Sequence, residues 1–300
     1  MCICLCIYYV CMNITLYGYD LPRKLGSTNF LIILEDTRFR KEGCFFQDLK
    51  ATFQRDSGHV ILREFSMLHA KYWRQAPPNI WRYSRDTGRS LGRTPPLNKF
   101  LASLAMQKVK ERYGSKLTVY PDCDQAYALL LENYETVRRY WCSNPSTLCH
   151  GDSHIGNVFF SQGKSRAGFV DYQCVQEDHC LRDISYYLIN SCSSLILAEV
   201  EEEMLKEYLK VLRQHLVQFH GEHHVYISDL PSYDEAYFIH RTYALWCFLA
   251  WTICCGFLDV VQESFVVHAM QRMLDTCHRL DVLQVMHTLI GLEKSKRLNR

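Results

Sequence analysis

The chain has 300 residues, 48% of them hydrophobic and 22% charged, with a formal net charge of +2. That length allows one large or two modest domains with a substantial core. With neither sign of charge dominant, nucleic acid and anionic membrane surfaces are excluded as electrostatic partners.

Taken in order, Cys2 to Val10 reads as a strand, rich in β-branched, aromatic and cysteine residues. It lacks the basic flank and cleavage site of a signal peptide. Gly18 to Ser27 is a turn, and Phe30 to Leu34 a second buried strand closed by Glu35 and Asp36. Val60 to Trp73 carries an apolar stripe at Ile61, Phe65, Leu68 and Tyr72, which predicts a helix with His69 as a satisfied core histidine. Pro77-Pro78 and Pro95-Pro96 bracket a polar loop. A further helix is expected over Tyr127 to Trp141, with Leu130, Tyr134, Val137 and Trp141 on one stripe.

Four more helical patterns follow residue 180: Asp183 to Leu197, Glu199 to Phe219, Tyr233 to Leu258 and Val260 to Leu283. Glu201 to Glu203 read as a solvated face, and His220, His223 and His224 as surface residues. The aromatic residues Tyr237, Tyr243, Trp246 and Trp251 sit at helical spacing and read as core packing. Ala244 to Leu258, the longest apolar run past the first residues, is too short to span a membrane. The fifteen cysteines follow no framework spacing. They read as buried thiols of a cytoplasmic protein rather than a disulfide scaffold or a zinc site.

The chemistry concentrates between Leu148 and Asp171, which begins Leu-Cys-His-Gly-Asp-Ser-His-Ile-Gly-Asn and ends Val-Asp-Tyr-Gln at residue 173. Asp152 is a carboxylate able to accept a proton from a hydroxyl. Asn157 and Asp171 offer oxygens suited to a hard cation such as Mg²⁺. Between them lie Val158 to Phe160 and Ala167 to Val170, two apolar runs joined by a turn-rich loop. This predicts a hairpin that returns Asn157 and Asp171 to the same place. The other chemical reading puts His150, Asp152 and His154 on one strand face as zinc ligands of a hydrolase. Gly151 and Gly156 favour a loop over that strand.

His-Gly-Asp-x-His-x-Gly-Asn followed by Asp-Tyr-Gln resembles the catalytic core of the aminoglycoside phosphotransferase family, with its choline kinase and ecdysteroid-kinase-like relatives. The resemblance implies an α+β, protein-kinase-like fold and an ATP- and Mg²⁺-dependent transfer of phosphoryl to a small-molecule hydroxyl. Asp152 then resembles the catalytic base, with His154 beside the transferred group. Asn157 and Asp171 resemble the metal ligands, and Asp183, in Leu-Arg-Asp-Ile-Ser, the residue that braces the loop. His150 would pack beneath it. Glu35 and Asp36 would form the hinge against the adenine edge. The same resemblance divides the chain into a remnant of the small lobe (1–36) and a helical large lobe (37–300) with its catalytic loop at 148–183. Too few residues precede the hinge for a full small lobe with its phosphate-anchoring Lys. The alternative function is therefore a degenerate, kinase-like binding or scaffold protein without catalysis. Glu177 and Asp178 are open to two readings, an attraction for an amino-bearing acceptor or a solvent-facing turn.

Overall fold

Residues 53–76, 95–141, 145–161, 163–257 and 263–298, with strand segments at 12–13, 35–36, 44–46 and 81–82, are described by a computed structural model. The elements in chain order are β1 (Met12–Asn13), β2 (Glu35–Asp36), β3 (Cys44–Phe46), α1 (Arg55–Lys71), β4 (Trp81–Arg82), α2 (Pro95–Tyr113), α3 (Pro121–Glu132) and α4 (Tyr134–Trp141). Then come β5 (Ser146–Cys149), β6 (Val158–Ser161), β7 (Ala167–Phe169), β8 (Gln176–His179), α5 (Leu181–Ser191), α6 (Ser194–His220), α7 (Tyr233–Phe257), α8 (Glu263–Arg279) and α9 (Val282–Leu298). The fold is α+β: a mostly helical lobe with small sheets, as the kinase-like pattern implied.

Helix α5 is the axis of the core, because every residue from Leu181 to Ser191 is buried. A helix apolar on one side and polar on the other can be buried all round only if its polar groups find partners. Here Asp183 is bonded to the loop before it, and the Ser185 hydroxyl meets His240 Nδ1 of α7 at 3.0 Å. Helix α1 lies along α6; Ile61 and Phe65 of its stripe are wholly buried, as is Leu62 beside them, while Leu68 and Tyr72 are half-buried. The antiparallel sheet β3-β6-β7 carries the expected hairpin, in the register Val158↔Phe169 and Phe160↔Ala167. The other three-stranded sheet, β4-β8-β5, delivers the chain to residue 150.

The helix boundaries moved for identifiable reasons. Tyr127 to Trp141 is not one helix, since Asn133 ends α3 and its side-chain amide donates to the Leu129 carbonyl at 3.0 Å. The break expected after Leu197 falls earlier, where extended Cys192 is followed by Ser193, whose hydroxyl accepts from the Ile196 N–H to cap α6. The pattern ending at Leu283 is cut at Asp281, which adopts φ 49°, and α9 begins there. Helix α2 escaped the pattern because Ala102, Ala105 and Val109 carry its buried stripe, and alanine is a weak hydrophobic signal. Glu35 and Asp36 pair antiparallel with Met12 and Asn13. The strands read at Cys2 to Val10 and Phe30 to Leu34 lie outside the described residues.

Two charged segments depart from their sequence reading. Glu201 is not solvated: it is buried, and Arg279 of α8 grips both its oxygens at 2.9 and 2.7 Å. Only its neighbours Glu202 and Glu203 face water, pairing with Lys206 and with Arg55 and His59. Glu177 and Asp178 form part of strand β8 rather than a turn. Asp178 is completely buried between Arg138 and Arg182 at 3.2 and 2.7 Å, and Glu177 accepts from the Ser146 hydroxyl. Nine cysteines between Cys123 and Cys277 are free thiols, and seven of them are buried. Among the described residues no helix is long and apolar enough to cross a membrane.

Candidate active site

Strand β5 ends at Cys149, and the chain turns sharply through His150 and Gly151. Gly151 has φ +85°, and a Cβ there would stand 2.0 Å from the Cys174 carbonyl oxygen, so only glycine fits the turn. The turn is held by Asp183, in the first turn of α5. Its Oδ2 accepts from the His150 N–H at 2.7 Å and its Oδ1 from the Gly151 N–H at 2.9 Å. His69 of α1 adds a third bond at 3.2 Å, and both side chains are wholly inaccessible to water. Burial works against the charge on Asp183. The hydrogen bond and field of His69, the field of His150 and the Gly151 N–H outweigh it and hold the carboxyl below the usual range. His69 is therefore a satisfied core histidine, as its stripe predicted, and also a brace of the loop. Its Nδ1 meets the Tyr208 hydroxyl at 2.7 Å.

Asp152 follows, partly exposed, and four hydrogen bonds close a circuit around it. The Asp152 N–H donates to His150 Nδ1 at 3.3 Å, and His150 Nε2 donates to the Val170 carbonyl at 2.8 Å. The Val170 N–H donates to the Asn157 carbonyl at 2.9 Å, and the Asn157 side-chain nitrogen returns to the Asp152 carbonyl at 2.8 Å. His150 can accept at Nδ1 only if its proton sits on Nε2, so the two bonds fix one tautomer. The hairpin is what makes the circuit possible, since β6 and β7 bring residue 157 opposite 170.

Asp171 sits just past the hairpin with φ 63° and ψ 60°, left-handed for a residue that has a Cβ. Aspartate visits this region more readily than most residues, yet it remains a strained position of the kind that gathers at functional sites. The turn aims Asp171 out to solvent beside Tyr172, whose ring packs 4.7 Å from that of His150. The structure thus brings His150, Asp152, Asn157 and Asp183 into one hydrogen-bonded unit, with Asp171 at its edge.

Residues 94–221 match the model of the ecdysteroid kinase-like family. The matched stretch runs from α2 to the end of α6, less than half of the chain, and contains the whole circuit. That segment is similar to this family. No curated protein matches the chain at a significant level.

His154 lies close to Asp152, with Nε2 3.7 Å from Oδ1, beyond hydrogen-bond reach. Its Nδ1 is buried without a hydrogen-bond partner. The zinc reading of His150, Asp152 and His154 fails, because 150–154 is a loop and both ring nitrogens of His150 are engaged within it. His69, Cys149 and Asp183 also cluster, with atoms within 4.8 Å of one another. All three are engaged within the fold: His69 and Asp183 bond each other, and Cys149, its thiol pushed well up by burial, donates to the His179 carbonyl at 3.4 Å.

Sequence reasoning passed over Tyr186 and Ser153. Burial, then the nearby charge of Asp152, keeps the Tyr186 phenol protonated. The Ser153 hydroxyl donates to the Asp183 carbonyl at 2.8 Å. Tyr186 could have been found from its spacing, three residues past Asp183 on the same helix face. The ion pairs of Asp178 remove it from any acceptor site. The aromatic residues of α7 are packing, with Tyr243 stacked on Trp141 and Trp246 lying 4.5 Å from the Arg182 guanidinium.

Proposed function

We propose that this chain is a phosphotransferase of the kinase-like type, moving the terminal phosphoryl group of ATP to a hydroxyl of a small molecule. The observation that carries the reading is the four-bond circuit, which ties a partly exposed carboxylate to a hairpin bearing an amide and a second carboxylate. Asp152 orients the acceptor hydroxyl and takes its proton. His154, beside it, faces the transferred group.

Asn157 and Asp171 are the residues that would hold Mg²⁺. The donor set fits: the Asn157 nitrogen is committed to the Asp152 carbonyl, leaving its oxygen as the group to offer, and Asp171 adds a carboxylate. Bound there, the ion would neutralise charge on the phosphates. His150 and Asp183 keep the loop in shape rather than touching substrate. In this reading Glu35 and Asp36 belong to the hinge that meets the adenine edge. Residues 1–36 then lie on the small-lobe side of that hinge, and 37–300 form the large lobe.

Titration calorimetry of the purified chain with ATP and Mg²⁺ tests the proposal. Binding that disappears in Asp171→Asn supports it. No heat from the wild-type chain favours the binding or scaffold alternative.

A further inference from the structure

Both proposed cation ligands hang on the β6–β7 hairpin, Asn157 before β6 and Asp171 after β7. A two-stranded hairpin is marginal by itself, and β7 is only half-buried at the edge of its sheet. Its placement must come from outside, and α1 touches it at three heights. Gln54, just before α1, accepts from Lys164 Nζ at 3.1 Å. Glu64 accepts from Arg166 Nε and Nη2 at 2.5 and 3.2 Å. The Phe65 ring stacks on Phe169 at 4.0 Å and 21°.

Glu64 is the unexpected member, because its side chain is 7% exposed while that of Arg166 is 66% exposed. A carboxylate buried on a helix face is costly unless it is paired. Both its oxygens go to one planar guanidinium, an arrangement that fixes direction as well as distance. The next turn of α1 carries His69, 5.8 Å from the Phe65 ring, and His69 holds Asp183 and through it the Asp152 loop. One helix therefore references both halves of the site.

We propose that Glu64 and Arg166 are positioning residues. Their forked ion pair, set beside the Phe65–Phe169 stack, fixes where the hairpin holds Asn157 and Asp171 relative to Asp152. The consequence for cation binding rests on the phosphotransferase reading; the placement of the hairpin does not.

The test uses the full chain with Glu64→Gln, Arg166→Ala, Arg166→Lys and the exchanged pair Glu64→Arg with Arg166→Glu. Amide hydrogen exchange is followed at 158–161 and 167–170, and Mn²⁺ binding in the presence of ATP by electron paramagnetic resonance. Exchange at those amides is expected to rise about tenfold or more in Glu64→Gln and Arg166→Ala, with α5 and α7 unchanged. Mn²⁺ affinity should fall about 10–100-fold. Arg166→Lys, which keeps the charge without the fork, should rescue little, and the exchanged pair should rescue more. Hairpin exchange that stays at the wild-type rate overturns the proposal, as does a uniform rise through α1, α5 and α6. Should Glu64→Gln fail to fold, Arg166→Ala still decides, since it removes a mostly exposed side chain. A wild-type chain that binds no Mn²⁺ with ATP sinks the phosphotransferase reading instead, and the exchange pattern still judges the clamp.

Discussion

Asn157 reaches Asp152 through its nitrogen: the side-chain amide donates to the Asp152 carbonyl at 2.8 Å, so the amide oxygen is the group left to meet a ligand. An aspartate at 157 would add charge for a cation but could donate no hydrogen bond. Asn157→Asp is therefore expected to lose about 1–3 kcal/mol of stability, the cost of stranding a largely buried acceptor. It should gain no cation affinity. Urea unfolding and Mn²⁺ titration of the variant check both statements.

Asp152 and Asp171 separate chemistry from structure. Asp152→Asn should fold normally, because the bonds of the circuit at residue 152 use its backbone. It should slow phosphoryl transfer about 10²–10⁴-fold. Asp171→Asn retains a residue that tolerates the left-handed backbone, so its unfolding midpoint should stay near the wild-type value while Mg²⁺-dependent ATP binding is lost. Calorimetry and thermal unfolding of the two variants, side by side, decide the matter.

Gly151→Ala should be among the most damaging single changes. It places a methyl against the Cys174 carbonyl at a φ that side chains rarely adopt. At least about 2 kcal/mol should be lost. The N–H bonds from His150 and Gly151 to Asp183 would be disturbed with it. A drop in the denaturant midpoint together with lost nucleotide binding is the expected outcome; a wild-type midpoint would contradict the geometry.

Two pH windows follow from buried groups. Burial lowers His179 to about 4 from its usual 6.5, so the folded state resists protonation that the unfolded chain accepts. That contribution is complete above about 6.5 and is lost as pH falls to about 4, on the order of 3 kcal/mol. Burial raises Glu201, but Arg279 and His240 prevail and bring it to about 2. Its contribution is complete above about 4.5 and is lost toward about 2, on the order of 2–3 kcal/mol. Urea midpoints measured from pH 7 to 2 should show both slopes. His179→Gln should flatten the upper one and Glu201→Gln the lower.

By itself the sequence determined the helical character of the lobe, the β6–β7 hairpin and the residues gathered at its ends. Those signals are local: alternating apolar runs, glycines at a turn, and side chains a few positions apart. It also yielded His69 as a core residue, since an apolar stripe encloses that position. Tertiary structure alone decided which charges are buried. Glu201, Asp178 and Glu64 look like solvent-facing acids in any linear reading. Arg279 lies 78 positions from Glu201 and Arg166 lies 102 from Glu64, where no local pattern reaches; Asp178 has Arg182 four positions on, but Arg138, which closes its other side, lies 40 positions back. Closure of the hydrogen-bond circuit was equally out of reach, because three of its four bonds end on backbone carbonyls. Every residue carries one, and only the fold decides which of them meet.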